Sequence, residues 1–198
     1  MLSTASKFKT KDLVMVPLFV ALMAIGANVT SFLVIGGVPI TLQAIFAIMA
    51  GALLGSKLGA TAMTVYMLVG LIGAPIFAQM KGGLSTLVSP TFGFILSFIL
   101  IAYVTGKIIE KASVATFKTF LFACYTGLAI TYILGTNYMY FAYITIAQAP
   151  DGFTYKMAWV WMVAPLIKDL IVTAIGAIIC ERVYNATKKN ARGYDVAS

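Results

Sequence analysis

The chain has 198 residues, of which 61% are hydrophobic and only 10% are charged. A water-soluble domain carries charge on about a quarter of its residues, so this chain has too few charges to cover a surface that faces water. With a mean hydropathy of +0.98, the composition excludes an ordinary soluble domain and predicts an integral membrane protein of the all-α class. The length suits a single domain over residues 1–198.

Apolar runs that approach or exceed the roughly 20 residues needed to cross the hydrocarbon predict several membrane helices. The first follows a polar, basic start and covers about residues 12–34. A signal peptide is the alternative for this segment, but the multispanning remainder favours a membrane helix. After "GGVP", a second helix is predicted from about Pro39, a residue that suits a helix start, to Ser56. A third helix follows the turn at Lys57 and ends near Gly73.

The segment 74–91 contains too many prolines and glycines to be a plain span. A fourth helix is predicted over about residues 91–110 and a fifth over about 117–135. The aromatic stretch 137–156 is left open, one option being the fifth helix continued past a kink. A sixth helix is predicted over about residues 160–185, before a polar tail. The sequence therefore predicts a bundle of six transmembrane helices.

The basic residues orient this bundle, because most of them fall on one of its two sides. Lys81 and Lys156 lie in loops on the opposite side, and Lys168 lies in or near the last span. The residues on the populated side are Lys7, Lys9, Lys11, Lys57, Lys107, Lys111, Lys118, Arg182, Lys188, Lys189 and Arg192. By the positive-inside rule, both termini are predicted to be cytoplasmic, in a multi-pass protein of the cell membrane. The formal charge of +8 fits this topology and attraction to anionic lipid, and its spread over separate loops argues against nucleic-acid binding.

Residues suited to catalysis are scarce. The chain has no histidine, only six carboxylates and no Gly-x-x-x-x-Gly-Lys-Ser/Thr phosphate loop. Cys124 and Cys180 lie in separate apolar runs without the spacing of metal ligands, so they are expected to be small buried side chains. We therefore expect no catalytic residues, no metal and no cofactor.

The adjacent charges of Lys168 and Asp169 stand out in the apolar run "PLIKDLI". A charge in the hydrocarbon costs from about 2.5 to more than 10 kcal/mol, so such residues usually face the bundle interior or a water-filled cavity. Pro165 predicts that the last helix starts or kinks beside them. Consecutive helical side chains project about 100° apart, so the two need not pair with each other. The alternatives are an interhelical salt bridge, a lysine that reaches the interface, or contact with a ligand, which we favour.

A second polar cluster is "PITLQ", near the outer end of the second helix. Thr41 is either a helix cap or a site residue. Gln43 needs partners for its amide if it faces inward, and both a helix–helix contact and a ligand contact satisfy that need. The spacing of Gly51, Gly55 and Gly59 is better explained by helix packing than by a site.

The third cluster is the segment "GLIGAPIFAQMKGGLSTLVSPTFGF". Gln79 and Lys81 could supply polar contacts, and Gly82 and Gly83 permit a close approach between backbone and a ligand. Non-helical backbone at membrane depth is tolerated only where it is buried in protein or lines water. The alternative is an ordinary outer loop with tight turns.

Together "PITLQ", "GLIGAPIFA…GGLSTLVSPTFGF" and "PLIKDLI" resemble the BioY family, the biotin-specific S components of energy-coupling factor (ECF) transporters. The resemblance covers nearly the whole chain and implies six helices and a biotin-binding site. The family's motif residues fall on Pro39, Thr41, Gln43, Gly82, Gly83, Pro90, Thr91, Gly93 and Asp169. Many members carry a lysine one turn after the aspartate, where this chain has Val172. The partner of the biotin carboxylate is therefore left open between Lys168, Lys81 and neither.

The resemblance also implies how such a site would work. Asp169 would accept hydrogen bonds from the ureido ring of biotin, and Gln43 or Gln79 would bind it as donor or acceptor. Apolar walls would come from side chains such as Phe77, Phe92 and Trp159. The implied partners are a transmembrane coupling protein and two ABC ATPases, contacted through small residues of the first helix such as Ala21, Ala24 and Ala27. The rival hypotheses are an S component or small transporter for another vitamin-like solute, and a membrane enzyme or assembly factor.

Overall fold

The structure, a computed structural model, describes residues 10–35 and 37–195, without the side chains of residue 11 and residues 188–195. The described part is mostly helical, with two short 3-10 turns at Ala78–Met80 and Leu84–Val88. The elements in chain order are α1 (Thr10–Asn28), β1 (Val34–Ile35), β2 (Val38–Pro39), α2 (Gln43–Leu54), α3 (Ser56–Leu71), α4 (Phe92–Lys111), α5 (Phe117–Thr145), α6 (Tyr155–Trp161) and α7 (Val163–Asp195).

The first two predicted helices are both shorter than expected, because a β-hairpin lies between them. α1 ends at Asn28 rather than near residue 34, and Val34 pairs with Pro39 in the antiparallel strands β1 and β2. The tight turn uses Gly37 at a φ of +75°, a conformation that glycine adopts without strain. Since Pro39 belongs to β2, α2 begins only at Gln43.

The predicted fifth and sixth helices also have different boundaries. α5 continues to Thr145, since no proline or glycine interrupts residues 136–145. The predicted sixth helix is two helices, because α6 ends at Trp161 and α7 begins at Val163. Pro165 explains this break, since its ring would clash with the carbonyl of Trp161 in a continuous helix.

The membrane-protein class is supported by the helices themselves. Among the described residues, three helices are long and apolar enough to cross a membrane: α4, α5 and the part of α7 over Val163–Thr187. α1 and α2 are apolar but shorter. The twelve residues of α2 extend about 18 Å, which is less than the roughly 30 Å of a hydrocarbon core. The count of six spans therefore stays a prediction.

Glycines allow α2, α3 and α4 to pack closely. A Cβ atom on Gly51 would lie 2.1 Å from the carbonyl oxygen of Ala102, and one on Gly59 would lie 2.8 Å from the Cα of Gly51. The predicted packing role of these two glycines is therefore confirmed. Gly55 has a different role, because at a φ of +88° it forms the sharp link between α2 and α3.

The two ends of the bundle differ in composition. At one end lie the hairpin, the loop between α3 and α4, and the starts of α2, α4 and α7. At the other end Glu110, near the end of α4, accepts hydrogen bonds from the backbone N–H of Ser56 at 2.6 Å and from its hydroxyl at 2.9 Å. Lys57 and Lys107 line a smaller cavity of about 340 Å³ at that end. Lys57 and Lys107 thus lie at the end opposite to the hairpin and the loop between α3 and α4.

Candidate substrate-binding site

A cavity of about 680 Å³ lies among the hairpin, the loop before α4, and helices α2, α4, α5 and α7. Its volume is in the range of sites that hold a small molecule, about 300–1,000 Å³. Apolar walls come from residues such as Ile95, Phe98 and Met162. The polar side chains of the lining are those of Thr41, Gln43, Lys81, Ser85, Thr86, Ser89, Thr91, Thr131, Tyr132, Tyr143 and Asp169.

The carboxylate of Asp169 is the buried charged group of this lining, and the side chain is only 7% exposed. Its Oδ2 accepts a hydrogen bond from the hydroxyl of Tyr132 at 2.7 Å, and its Oδ1 lies 2.7 Å from the Nζ of Lys168. Lys168 also donates to the backbone carbonyl of Thr41. A carboxylate has about four lone-pair positions, so Asp169 retains acceptor capacity for a ligand in the cavity.

Gln43 connects two helices and also lines the cavity. Its Nε2 donates to the hydroxyl of Tyr66 at 2.8 Å, and this hydroxyl donates to the carbonyl of Ile76 at 2.8 Å. The Gln43 side chain therefore makes a helix–helix contact and also lines the cavity, so the two alternatives do not exclude each other. In this orientation no described residue donates a hydrogen bond to the amide oxygen of Gln43, so this oxygen is available as an acceptor.

The loop before α4 has a strained backbone, which is held by the last residue of α1 and by Ser31 just after that helix. Gln79 and Met80 have φ angles of 62° and 55°, a left-handed conformation that is uncommon outside glycine. The N–H of Gln79 donates to the hydroxyl of Ser31 at 3.2 Å, and that of Met80 donates to the side-chain oxygen of Asn28 at 2.7 Å. This anchoring fixes the path of the chain into Lys81, whose exposed side chain lines the cavity.

The two glycines after Lys81 are required by the loop itself. A Cβ atom on Gly82 would lie 2.2 Å from the carbonyl oxygen of Ala74. Gly83 has a φ of +91°, and its N–H donates to the carbonyl of Gly70 at 2.7 Å. Gly82 lines the cavity, whereas Gly83 serves the turn.

Six of the nine site residues expected from the sequence line the cavity: Asp169, Gln43, Thr41, Lys81, Gly82 and Thr91. Lys168, Gln79 and Gly83 do not, and the side chain of Gln79 is exposed to solvent. The helix-cap alternative for Thr41 is wrong, because Leu42 occupies the N-cap position of α2 and no side-chain cap bond is found there among the described residues. Of the aromatic residues expected in the walls, Phe77 lines the cavity, and Phe92 and Trp159 do not.

Sequence reasoning missed Tyr66, Thr131 and Tyr132. A phenol inside an apolar helix is a signal that could have been used, because a buried tyrosine hydroxyl usually has a hydrogen-bond partner. Both tyrosines bond to a group contributed by another helix or loop. Their partners lie 10 and 37 residues away in sequence, which explains why the pattern of one helix did not identify them.

Tyr143 lies where the hairpin meets the end of α5. A Cβ atom on Gly37 would lie 2.6 Å from the Tyr143 hydroxyl oxygen, and both residues line the cavity. The Tyr143 ring also packs against Phe153 and Trp161, with ring centroids 4.9 and 6.1 Å apart. Trp161 therefore contacts a residue that lines the cavity.

The helical bundle, with three described helices long and apolar enough to cross a membrane, defines the class as a membrane protein with a cavity of small-molecule size, and a solved structure has the same fold. That structure is described as the S-component for biotin from an ECF-type ABC transporter. The TM-score is 0.70 at 20% identity, and the match covers 92% of this chain and 95% of the other.

The model of the BioY family matches residues 3–189, so the chain belongs to the BioY family. A Bacillus subtilis relative with the name "Putative biotin transporter BioYB" is 38% identical over 96% of this chain and 94% of its own length. The "Biotin transporter BioY" of Thermotoga maritima is 36% identical over 87% of this chain and 95% of its own length. The names of these relatives describe transporters rather than enzymes.

Proposed function

We propose that this chain is the biotin-binding S component of an ECF-type transporter and serves biotin uptake across the cell membrane. The observation that carries the proposal is the buried Asp169, held by Lys168 and Tyr132 in the wall of a cavity of about 680 Å³. The names of the relatives identify biotin as the solute to test first.

The polar end of biotin matches the acceptors of this cavity. The ureido ring has two N–H donors and one carbonyl acceptor. Asp169 would accept from one N–H, and the amide oxygen of Gln43 would accept from the other. The thiophane ring and the valeryl chain would pack against apolar walls such as Phe98 and Met162. Thr41 lines the same cavity, and its own backbone carbonyl accepts a hydrogen bond from Lys168.

The biotin carboxylate needs a cation or several donors at the cavity mouth. Lys168 already pairs with Asp169 and donates to the carbonyl of Thr41, whereas Lys81 lines the cavity with an exposed side chain. We therefore assign the carboxylate to Lys81, with Gly82 and Thr91 beside it in the lining. Gln79 and Gly83 would act indirectly, since they shape the loop that carries Lys81.

The full arrangement proposed is a single domain of six spans, α1–α5 and α7, with both termini cytoplasmic and the cavity facing outward. Uptake would require an energy source, and the partners proposed are a transmembrane coupling protein and two ABC ATPases. The alanine stripe predicted on α1 needs correction, because Ala27 is buried and Ala21 is exposed. A partner would instead meet the exposed face of α1 that carries Leu18, Ala21 and Ile25.

The test is uptake of labelled biotin by cells that lack biotin transport of their own. The chain is expressed with and without a coupling protein and its two ATPases, and Asp169→Asn serves as the binding-deficient control. With the wild-type chain and the module, we expect uptake of labelled biotin, and unlabelled biotin should suppress this uptake. With Asp169→Asn, uptake should stay at background. Background uptake of labelled biotin with the wild-type chain and the module would contradict the proposal, and uptake of another labelled vitamin by the same cells would favour a different solute.

A further inference from the structure

Thr131 on α5 has a buried hydroxyl that differs from those of other threonines on the same helix. Thr126 and Thr145 donate to the carbonyl oxygens four residues earlier, at 2.8 and 2.6 Å. Thr131 is only 2% exposed, and its hydroxyl oxygen has no hydrogen-bond partner among the described residues. A buried polar group without a partner is rare in native proteins, so this hydroxyl needs an explanation.

The position of Thr131 indicates where that partner lies. Thr131 lines the cavity, and the next residue, Tyr132, donates to the carboxylate of Asp169. Thr136, on the same helix, also has a buried hydroxyl without a partner among the described residues, but it does not line the cavity. The two threonines therefore form a matched pair, of which only Thr131 lines the cavity.

We propose that the Thr131 hydroxyl donates a hydrogen bond to the ureido carbonyl oxygen of biotin and so makes the site selective for a urea oxygen. This inference rests on the proposed function. Asp169 and the amide oxygen of Gln43 supply acceptors for the two N–H groups, and the carbonyl between those groups needs a donor. A carbonyl buried without a donor would weaken binding, because its hydrogen bonds to water would be lost without replacement.

Two donors beside Asp169 are already engaged. The hydroxyl of Tyr132 donates to Asp169, and the ammonium of Lys168 bonds to Asp169 and to the Thr41 carbonyl. Lys81 belongs to the loop before α4 and is assigned to the carboxylate. Among the described lining residues, Thr131 alone combines a buried hydroxyl without a partner with a place beside the tyrosine that holds Asp169.

The experiment compares dissociation constants for biotin and 2-thiobiotin, whose sulfur is a weaker acceptor than the ureido oxygen. The purified variants are Thr131→Val, Thr131→Ser and the matched control Thr136→Val. We expect Thr131→Val to weaken biotin binding roughly tenfold or more and to weaken 2-thiobiotin binding much less. Thr131→Ser keeps the hydroxyl and should remain close to wild type, and Thr136→Val should change both affinities by less than about twofold.

Each other outcome counts against the inference. Unchanged biotin affinity in Thr131→Val would overturn it while leaving the proposed function intact. Equal losses for biotin and 2-thiobiotin would assign Thr131 to packing rather than to the carbonyl. If the wild-type protein binds no biotin, the proposed function fails and this inference fails with it. Thr131→Ala gives the same comparison if the valine variant does not fold.

Discussion

The carboxylate of Asp169 is buried in an apolar helix, and two side chains from different helices stabilise it. Lys168 compensates its charge and Tyr132 donates a hydrogen bond, both at 2.7 Å. Removing one partner of a buried charge leaves an uncompensated group, which is more costly than losing an exposed pair. We therefore expect the affinity for the ligand to depend on the neighbours of Asp169 as well as on the aspartate.

Tyr132→Phe tests this dependence. The change removes the hydroxyl that fixes Oδ2 of Asp169 and keeps the ring, so biotin binding to the purified protein should weaken by roughly 3- to 30-fold. Tyr125→Phe is the matched control, since Tyr125 also lies on α5 and donates to α7, at the Leu170 carbonyl, but does not line the cavity. Equal affinities for the two variants would show that Tyr132 does not organise the site.

Lys81→Ala tests the assignment of the ligand carboxylate. We expect roughly tenfold weaker binding of biotin and little change for biotin methyl ester, which carries no charge. Lys156→Ala is the control, because it removes an exposed lysine that does not line the cavity. Equal losses for biotin and its ester in Lys81→Ala would contradict the assignment.

Sequence reasoning identified cavity-lining residues where a residue was conspicuous in its own segment. Asp169 and Gln43 are polar groups in apolar surroundings, and both line the cavity. The pairing of Lys168 with Asp169 was not required by helical geometry. It arises because the long lysine side chain reaches both the adjacent carboxylate and the carbonyl of Thr41. That carbonyl lies 127 residues away in sequence, so no local pattern revealed it.

At the scale of elements, hydropathy located the helices and local backbone chemistry set their ends. The helix predicted over residues 12–34 is too long because β-branched and apolar residues of the hairpin continue its apolar run. α5 extends beyond residue 135 because aromatic residues 137–143 contain no breaker. For Gly51, the sequence spacing alone was enough to predict the close helix contact, because small residues four positions apart favour helix packing.

Gly51→Ala tests the packing of α2 against α4. The new methyl group would lie 2.1 Å from a backbone oxygen of Ala102, which cannot move without shifting a helix. We expect a loss of stability of about 1–3 kcal/mol, seen as a lower midpoint of thermal unfolding in detergent. In the control Gly176→Ala, the atom met at 2.2 Å is the flexible end of Ile45, so the loss should be smaller. Equal midpoints would contradict this account of the interface.

The cavity of about 680 Å³ lies at one end of the molecule, and Lys57 and Lys107 lie at the other. This separation supports the proposed orientation, in which the cavity faces outward and the positive end faces the cytoplasm. It also accords with a solute-binding subunit that relies on a separate source of energy. The family and fold support this role, and the orientation is open to a direct test.

Single cysteines at Lys81 and Lys111 test the orientation, because both side chains are exposed and lie at opposite ends of the bundle. With a membrane-impermeant maleimide, Lys81→Cys should be labelled in intact cells and Lys111→Cys only after permeabilisation. Cys124 and Cys180 are fully buried, so the background should be low. The reverse labelling pattern would contradict the proposed topology.

The most direct test of the central claim is equilibrium binding of biotin to the purified protein and to its Asp169→Asn variant. Trp161 packs against the cavity-lining Tyr143, so its fluorescence should report binding, with labelled biotin as an independent measure. We predict tight, saturable binding by the wild type and at least roughly 30-fold weaker binding by Asp169→Asn, since an acceptor of the ureido N–H groups becomes a neutral amide. No binding by the wild type, or equal affinity in the variant, would contradict the account.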